Sequence, residues 1–310
     1  LNKKFEQKKR GNAFHKALSK KSFFPRVIAE IKPRSPSIEE IMLPEDTIES
    51  IAEWYEASGV DAISVLTDEK FFGASLGNLQ KARNATSLPL LLKDFVIDEV
   101  QIYEASELGA DAVLLMRSVL GTQIIQKFLD LLKSLGMDGL VEIHDEEELL
   151  DVLKNTTANI IGINNRNLKT LKVDPANFEE LFTNIPEELK KDRVFVCESG
   201  LMGRNDVRRY AQNADALLVG TGILCAKNRQ SSLRGFIATP EIKICGITNL
   251  EDAVVAGEKA DYLGFIFAEQ SPRFIAPNLA RQIAGEVRQR FANPPKIAGV
   301  FVDPSLMFLQ

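Results

Sequence analysis

Short, unbroken apolar runs recur along the chain: RVIAEI (26–31), DAISVL (61–66), PLLLK (89–93), DAVLLM (111–116), GLVEI (139–143), NIIGIN (159–164), RVFVCE (193–198) and DALLVG (215–220). A run that is apolar at successive positions, rather than at alternate ones, predicts a strand covered on both faces, as in a parallel sheet. Helical or loop segments separate the runs. The best-marked helix places Ile48, Ile51, Ala52 and Tyr55 on one face, with Gly59 as its stop. A shorter helix is expected over 13–18. A small theme precedes several strands: Gly59-Val-Asp-Ala, Gly109-Ala-Asp-Ala, Asn213-Ala-Asp-Ala and Lys259-Ala-Asp-Tyr. In the first three, Gly or Asn is available for a left-handed helix end. Eight such units predict an α/β protein of the (β/α)8 TIM barrel class. A doubly wound open sheet is the competitor, but it usually carries a glycine-rich fingerprint after its first strand, and the first strand here runs into Lys32-Pro33-Arg34-Ser35-Pro36.

After Ser231 the register restarts. EIKICG (241–246), a helix over about 249–259, DYLGFIF (261–267), a helix over about 279–291 and KIAGVFV (296–302) make a second βαβαβ run. The expected division is 1–235 for a complete barrel and 236–310 for the first part of another.

Polar residues recur at the ends of the predicted strands. Glu30 and Lys32 lie two apart, so their side chains project to one side of the first strand and of its exit. Lys93 and Asp94 close the third run, Glu142 and His144 the fifth, Asn164, Asn165 and Arg166 the sixth, Glu198 and Ser199 the seventh. A charge buried alone is costly; gathered at one end of a barrel, such charges pair with one another and with an anionic ligand. A salt-bridged mouth without chemistry is the alternative, and its recurrence at five of eight strands favours a site. Ser199-Gly200-Leu201 and Gly220-Thr221-Gly222 follow the last two strands. Small residues there let backbone N–H groups approach a phosphate, the usual place for one in such barrels.

Composition narrows the picture. The 310 residues allow about two domains, and a net charge of -5 argues against a nucleic-acid partner. No run approaches a membrane span, and the basic start LNKKFEQKKR lacks the apolar core of a signal peptide. Cys197, Cys225 and Cys245 have neither metal-ligand spacing nor a disulfide framework, and His15 and His144 lack metal spacing. A cytoplasmic protein without a metal is expected. Cys197 and Cys225 read as small core residues, and Trp54, Phe71 and Phe72 as packing groups; Phe95 either packs or flanks an aromatic substrate. Leu1 and the ending SLMFLQ suggest a piece of a longer chain.

EIKPRSPS, LLLKDF, LVEIH, GINNRNL, ESG and LVGTGI, in this order over about residues 12–230, resemble indole-3-glycerol phosphate synthase. KICGIT (243–248), SPRFI (271–275) and GVFV (299–302) resemble the start of phosphoribosylanthranilate isomerase, which performs the neighbouring step of tryptophan biosynthesis and is fused to the synthase in some bacteria. The resemblance implies ring closure of 1-(2-carboxyphenylamino)-1-deoxyribulose 5-phosphate to indole-3-glycerol phosphate, carbon dioxide and water, with no cofactor. It implies Lys93 as general acid, Glu142 and Glu30 as carboxylates that stabilise the cationic intermediate and move protons, and Lys32 as a substrate-contacting lysine implicated in proton transfer. Asn164 and Arg166 would position the substrate, with Ser35, Glu198 and Ser199 in the polar lining. Phe95 and Leu114 would meet the aromatic ring, and Gly200, Gly220 and Thr221 the phosphate. In the second part Cys245 matches a general base and Arg273 a substrate contact; the matching aspartate would fall beyond Gln310, so no isomerase activity is expected of this chain.

The chain departs from the synthase pattern in three places. Ile38, Glu39 and Glu40 stand where a glycine is usual in a substrate-covering loop. Thr221 replaces a common serine, and the helical extension expected over the mouth is short. Another sugar-phosphate barrel isomerase or epimerase would share the phosphate loops without requiring Lys93, Glu142 and Glu30 together. A barrel that binds a phosphorylated ligand without turnover is a further alternative.

Overall fold

The computed structural model describes residues 11–20, 24–167, 170–237, 242–258, 260–291 and 294–302. Two compact units divide the chain, Leu1–Ala238 and Thr239–Gln310. In the first, eight strands form a closed parallel barrel in sequence order: β1 (Arg26–Ile31), β2 (Ala62–Leu66), β3 (Leu90–Lys93), β4 (Ala112–Met116), β5 (Asp138–Ile143), β6 (Ile160–Asn164), β7 (Val194–Glu198) and β8 (Ala216–Val219). Closure comes from β1, in which Ile28 is paired with Ala62 of β2 on one side and Leu218 of β8 on the other. The eight runs read from the sequence are these strands, with ends that agree to about a residue.

Period-two alternation builds the interior. Ile28, Ala62, Leu91, Ala112, Leu140, Ile160, Val194 and Ala216 form one apolar cluster with Leu114, Val196 and Leu218 above them. The opposite strand faces, such as Ile63 and Val65, pack under the helices with Tyr55, Leu79 and Ala82. Each fully buried Leu, Ile or Val contributes about 1.5–3 kcal/mol, and this outer layer is where the fold gains most.

The helix Ala13–Leu18 stoppers the barrel. Phe14 and Leu18 are fully buried and belong to the interior cluster. The carboxylate of Asp138, first residue of β5, accepts the His15 N–H at 2.9 Å. This helix therefore closes the N-terminal end of the strands. The described part of the segment before β1 thus lies at the end opposite the mouth, because Phe14 finds apolar partners on the floor and the mouth is polar.

The recurring aspartates have a structural use. Asp61 accepts from Val27 N–H (2.9 Å), Asp111 from Leu90 (2.9 Å), Asp215 from Phe195 (2.8 Å) and Asp261 from Ile242 (2.8 Å). Each satisfies a backbone donor at the start of the preceding strand, a donor that the parallel ladder leaves unpaired. Gly59 and Gly109 are left-handed, both at φ 88°. Asn213 is not among the left-handed residues, so its place in the theme reflects the aspartate and not the helix end.

The second unit has three parallel strands, β9 (Lys243–Cys245), β10 (Tyr262–Ile266) and β11 (Lys296–Val300), in spatial order β11-β10-β9. Helices Leu250–Gly257 and Pro277–Arg290 connect them, and Leu263, Phe265, Ile283 and Val287 anchor their common core. Among the described residues no helix is long and apolar enough to cross a membrane.

Candidate active site

The interior faces of the strands change character toward their C-terminal ends. On β3, Leu91 is followed two residues on by Lys93; on β5, Leu140 by Glu142; on β7, Val196 by Glu198; on β1, Ile28 by Glu30. The same alternation that fills the barrel with apolar layers therefore caps it with a charged one. Lys93 Nζ lies 2.7 Å from Glu198 Oε2 and 3.4 Å from Glu142 Oε2. Asn164 Nδ2 donates to Glu142 Oε1 at 3.1 Å, and His144 Nε2 approaches the same oxygen at 3.2 Å. Beside this group Lys32 Nζ donates to Glu30 Oε1 at 2.6 Å. Two glycines make the approach possible. A Cβ on Gly162 would fall 2.1 Å from Glu198 Oε1, and one on Gly220 would fall 2.6 Å from Glu30 Oε1.

Burial and neighbours set the charges. Burial alone would push the Lys93 ammonium down, but Glu198, Glu142 and Glu30 outweigh it and hold the ammonium protonated well above the usual range. Burial would raise Glu142, yet Lys93, His144 and Asn164 together hold it below the usual carboxylate range. Glu198 goes the other way. Burial and the Glu142 charge push it up to about 7 although Lys93 pulls it down. Lys93 is nearer to Glu198, so distance to the ammonium does not decide the difference. Surroundings decide it: Asn164 donates to Glu142 Oε1 and the His144 ring lies 3.2 Å from that oxygen, whereas Glu198 Oε1 is buried without a hydrogen-bond partner among the described residues.

The loops close over this layer in a connected way. Ser199 and Gly200 are both left-handed (φ 67° and 78°); for a serine this costs of order 1–3 kcal/mol and persists only where surroundings impose it. Asn165 supplies that constraint, donating to the Ser199 carbonyl at 3.2 Å and accepting from Phe178 N–H at 3.0 Å. The loops after β7 and β8 meet where a Gly222 Cβ would lie 2.2 Å from the Leu201 carbonyl oxygen. Thr221 opens the short helix Thr221–Leu224 behind Gly220. After β1, Ser35 and Ile38 pair through their backbones, and Ile41 is buried. Arg34 donates to the Glu69 and Lys70 carbonyls (3.2 and 3.0 Å) and so holds the short helix Glu69–Phe72 that carries Phe71. Phe71 meets Phe95 edge-on, ring centroids 6.0 Å apart, with both rings exposed.

The family model of indole-3-glycerol phosphate synthase matches residues 1–236. The chain belongs to this family. A protein of that name from Caldanaerobacter subterraneus is 46% identical over 199 residues, covering 64% of this chain and 75% of that protein. One from Kineococcus radiotolerans is 41% identical over 214 residues (69% and 76%), and one from Endomicrobium trichonymphae 40% over 229 residues (74% and 86%). Among solved structures, a thiamine phosphate pyrophosphorylase from Pyrococcus furiosus superposes with a TM-score of 0.49 at 13% identity, covering 69% of this chain and 94% of that one.

For this synthase-family chain, the residues singled out in the sequence separate by place. Lys93, Glu142, Asn164 and Glu198 form one contact network, with the Glu30–Lys32 pair beside it. Leu114 lies below them in the apolar interior. Ser199, Gly200, Gly220 and Thr221 form the adjoining loops, and Phe95 stands on the loop after β3. Arg166 lies after β6 with its guanidinium donating to the Leu171 carbonyl at 3.0 Å. The Ser35 hydroxyl is engaged within its own loop, accepting from Ile38 N–H at 3.2 Å. Cys245 and Arg273 belong to the second unit, where each adjoins the C-terminal end of β9. A Gly264 Cβ would meet Cys245 Sγ at 2.5 Å, and a Gly246 Cβ would meet Arg273 Cδ at 2.7 Å.

Two readings are corrected. Phe71 is exposed beside Phe95 and not a packing group, because the helix Glu69–Phe72 stands clear of the core. Cys225 is exposed, since the helix Thr221–Leu224 ends at it; Cys197 is buried as expected. Gly162 was missed, its signal being a glycine within an otherwise unbroken apolar strand. His144 was noted only as a strand-end residue. Among the described residues no group of His, Cys, Asp and Glu is arranged to hold a metal ion.

Proposed function

We propose that this chain performs the family reaction at the mouth of the barrel. The substrate is 1-(2-carboxyphenylamino)-1-deoxyribulose 5-phosphate, and the products are indole-3-glycerol phosphate, carbon dioxide and water. The observation that carries the reading is the buried Lys93 ammonium between two carboxylates of unequal basicity.

Lys93 is the general acid. It donates its proton to the ribulose carbonyl oxygen as the ring carbon bearing the carboxylate attacks the carbonyl carbon. Bond formation leaves a cationic, carboxylate-bearing ring, and loss of carbon dioxide returns the electron pair to it. The former carbonyl oxygen then leaves as water after a second protonation, while a carboxylate removes the remaining proton to complete the indole. Glu142 and Glu30 supply negative charge beside the cation and serve in that proton removal. Glu198, raised to about 7, exchanges a proton readily near neutrality and stands 2.7 Å from Lys93 to reload it. Lys32, Asn164, Arg166, Ser35 and Ser199 position the polar groups; Phe95 and Leu114 flank the aromatic ring; Gly200, Gly220 and Thr221 receive the phosphate.

Indole fluorescence on addition of the substrate tests this directly. The chain is expected to give a rise, and Lys93→Ala to lower kcat by about 10²–10⁴, the usual contribution of a positioned acid. Near-normal turnover in that variant would remove Lys93 from the acid role; no rise with the unaltered chain would sink the activity itself.

We further infer that residues 236–310 are the first βαβαβ portion of a phosphoribosylanthranilate isomerase barrel, residues 1–235 being the synthase. Three parallel strands with Cys245 and Arg273 beside one strand end support this. A cytoplasmic location fits three unpaired thiols.

A further inference from the structure

His144 follows β5 on the same side as Glu142 and is only 11% exposed in its side chain. Its ring lies between two carboxylates. Nε2 is 3.2 Å from Glu142 Oε1, and Nδ1 is 3.2 Å from Glu148 Oε2. Glu148 Oε2 also accepts the His144 backbone N–H at 2.9 Å, so one oxygen grips both ends of the residue. Glu148 is itself fixed in the first turn of helix Glu146–Asn155, where its N–H is capped by Asp145 at 2.9 Å. The His144 carbonyl accepts from Asn177 Nδ2 at 3.3 Å. The residue is thus held from the following helix and, through its carbonyl, from the first residue of the helix Asn177–Thr183.

The two oxygens of Glu142 are used differently. Oε1 accepts from Asn164 at 3.1 Å and is in ion-pair contact with His144 Nε2, which is buried and makes no hydrogen bond among the described residues. Oε2 has Lys93 at 3.4 Å, a looser contact than the 2.7 Å that joins Lys93 to Glu198.

We propose that His144 is a positioning residue: held between Glu148 and Glu142, it keeps Oε1 in place through its ion contact and leaves Glu142 Oε2 as the oxygen that receives the substrate proton. The claim rests on the synthase reading and adds an atom and a supporting residue to it. The groups facing His144 are Glu142 and Glu148; those facing Glu142 are Lys93, His144 and Asn164, with Glu198 and Glu30 across Lys93. Burial alone would lower the imidazole, but the two glutamates raise it to about 9, so the cation persists at neutral pH.

The test combines pH profiles of kcat/KM with nitrogen NMR titration of the imidazole. The sequence holds two histidines, so His144→Gln assigns the signal. In the unaltered chain kcat/KM is expected to fall as pH passes about 9. Glu148→Gln removes an anion that favours the cation, so both the imidazole titration and this limb should move to lower pH, by roughly one unit. In His144→Gln the limb should vanish, with kcat lowered roughly tenfold and KM little changed, part of what a positioned base contributes. A purely structural role would lower activity without moving the limb. An unchanged limb in either variant, or an imidazole titration indifferent to Glu148→Gln and Glu142→Gln, overturns the proposal. Absence of turnover in the unaltered chain defeats the synthase reading instead, and the titration still decides whether His144 holds Glu142.

Discussion

Glu198 shows how one residue's surroundings set its chemistry. Two glutamates flank one lysine, yet the farther one is the firmer anion, because Glu142 also has the Asn164 donor and the nearby His144 ring, while Glu198 Oε1 has no hydrogen-bond partner among the described residues. The folded-state value of Glu198 lies above the ordinary 4.5, at about 7. A carboxyl raised on folding binds its proton more tightly in the native state. Its contribution to stability is therefore full below the unfolded value and is lost as pH rises through the folded one. Glu198→Gln mimics the protonated form. Its urea midpoint relative to the unaltered chain should rise between pH 5 and pH 8, while turnover falls because the proton reservoir is gone. A midpoint difference that stays flat over that window would mean Glu198 is ionised throughout.

At the level of elements, the most informative piece is the helix Ala13–Leu18. Phe14 fills the barrel floor, fully buried, at the end opposite the charged layer. Phe14→Ala is expected to cost about 3–5 kcal/mol of stability, the usual loss for a buried aromatic. Under conditions where the variant remains folded, kcat should stay within about twofold, since floor and mouth are separated by the apolar layers. Urea melts together with turnover at low temperature check both halves; a large loss of kcat with little loss of stability would place the helix in the catalytic machinery.

The strands were legible because an unbroken apolar run has one good use in a closed parallel barrel, and the strand-end charges because they interrupt those runs at the same relative position. What escaped depended on angles between elements. The contact of His144 with Glu148 requires the helix after β5 to turn back toward the mouth, and the spacing of four residues does not by itself imply that. Phe71 and Phe95 lie on elements after different strands and meet where Arg34 ties down the helix that carries Phe71. Asn213 looked like a helix end because its neighbours Gly59 and Gly109 are, while the shared reason for the theme was the aspartate after it.

At the scale of the whole molecule, every strand of the closed barrel and every residue placed in the synthase chemistry lies within Leu1–Ala238. The matched family segment, residues 1–236, ends in the same place. The second unit has its own core, built from Leu263, Phe265, Ile283 and Val287. A three-stranded parallel sheet with two helices buries few large side chains, and its outer strands β9 and β11 each pair along one side only within that sheet. Ring closure should therefore need the barrel alone. A variant ending at Ala238 is expected to keep kcat within about twofold, because a site built from the ends of eight strands takes its geometry from barrel closure. Its main melting transition should also be preserved. Side-by-side fluorescence assays and thermal melts of residues 1–238 and 1–310 decide this. If the shorter chain melts normally but loses more than about tenfold in kcat, the second unit supplies something to the reaction that the barrel lacks. If it fails to fold, the barrel draws stability from residues after 238, and the division into two self-sufficient cores is wrong.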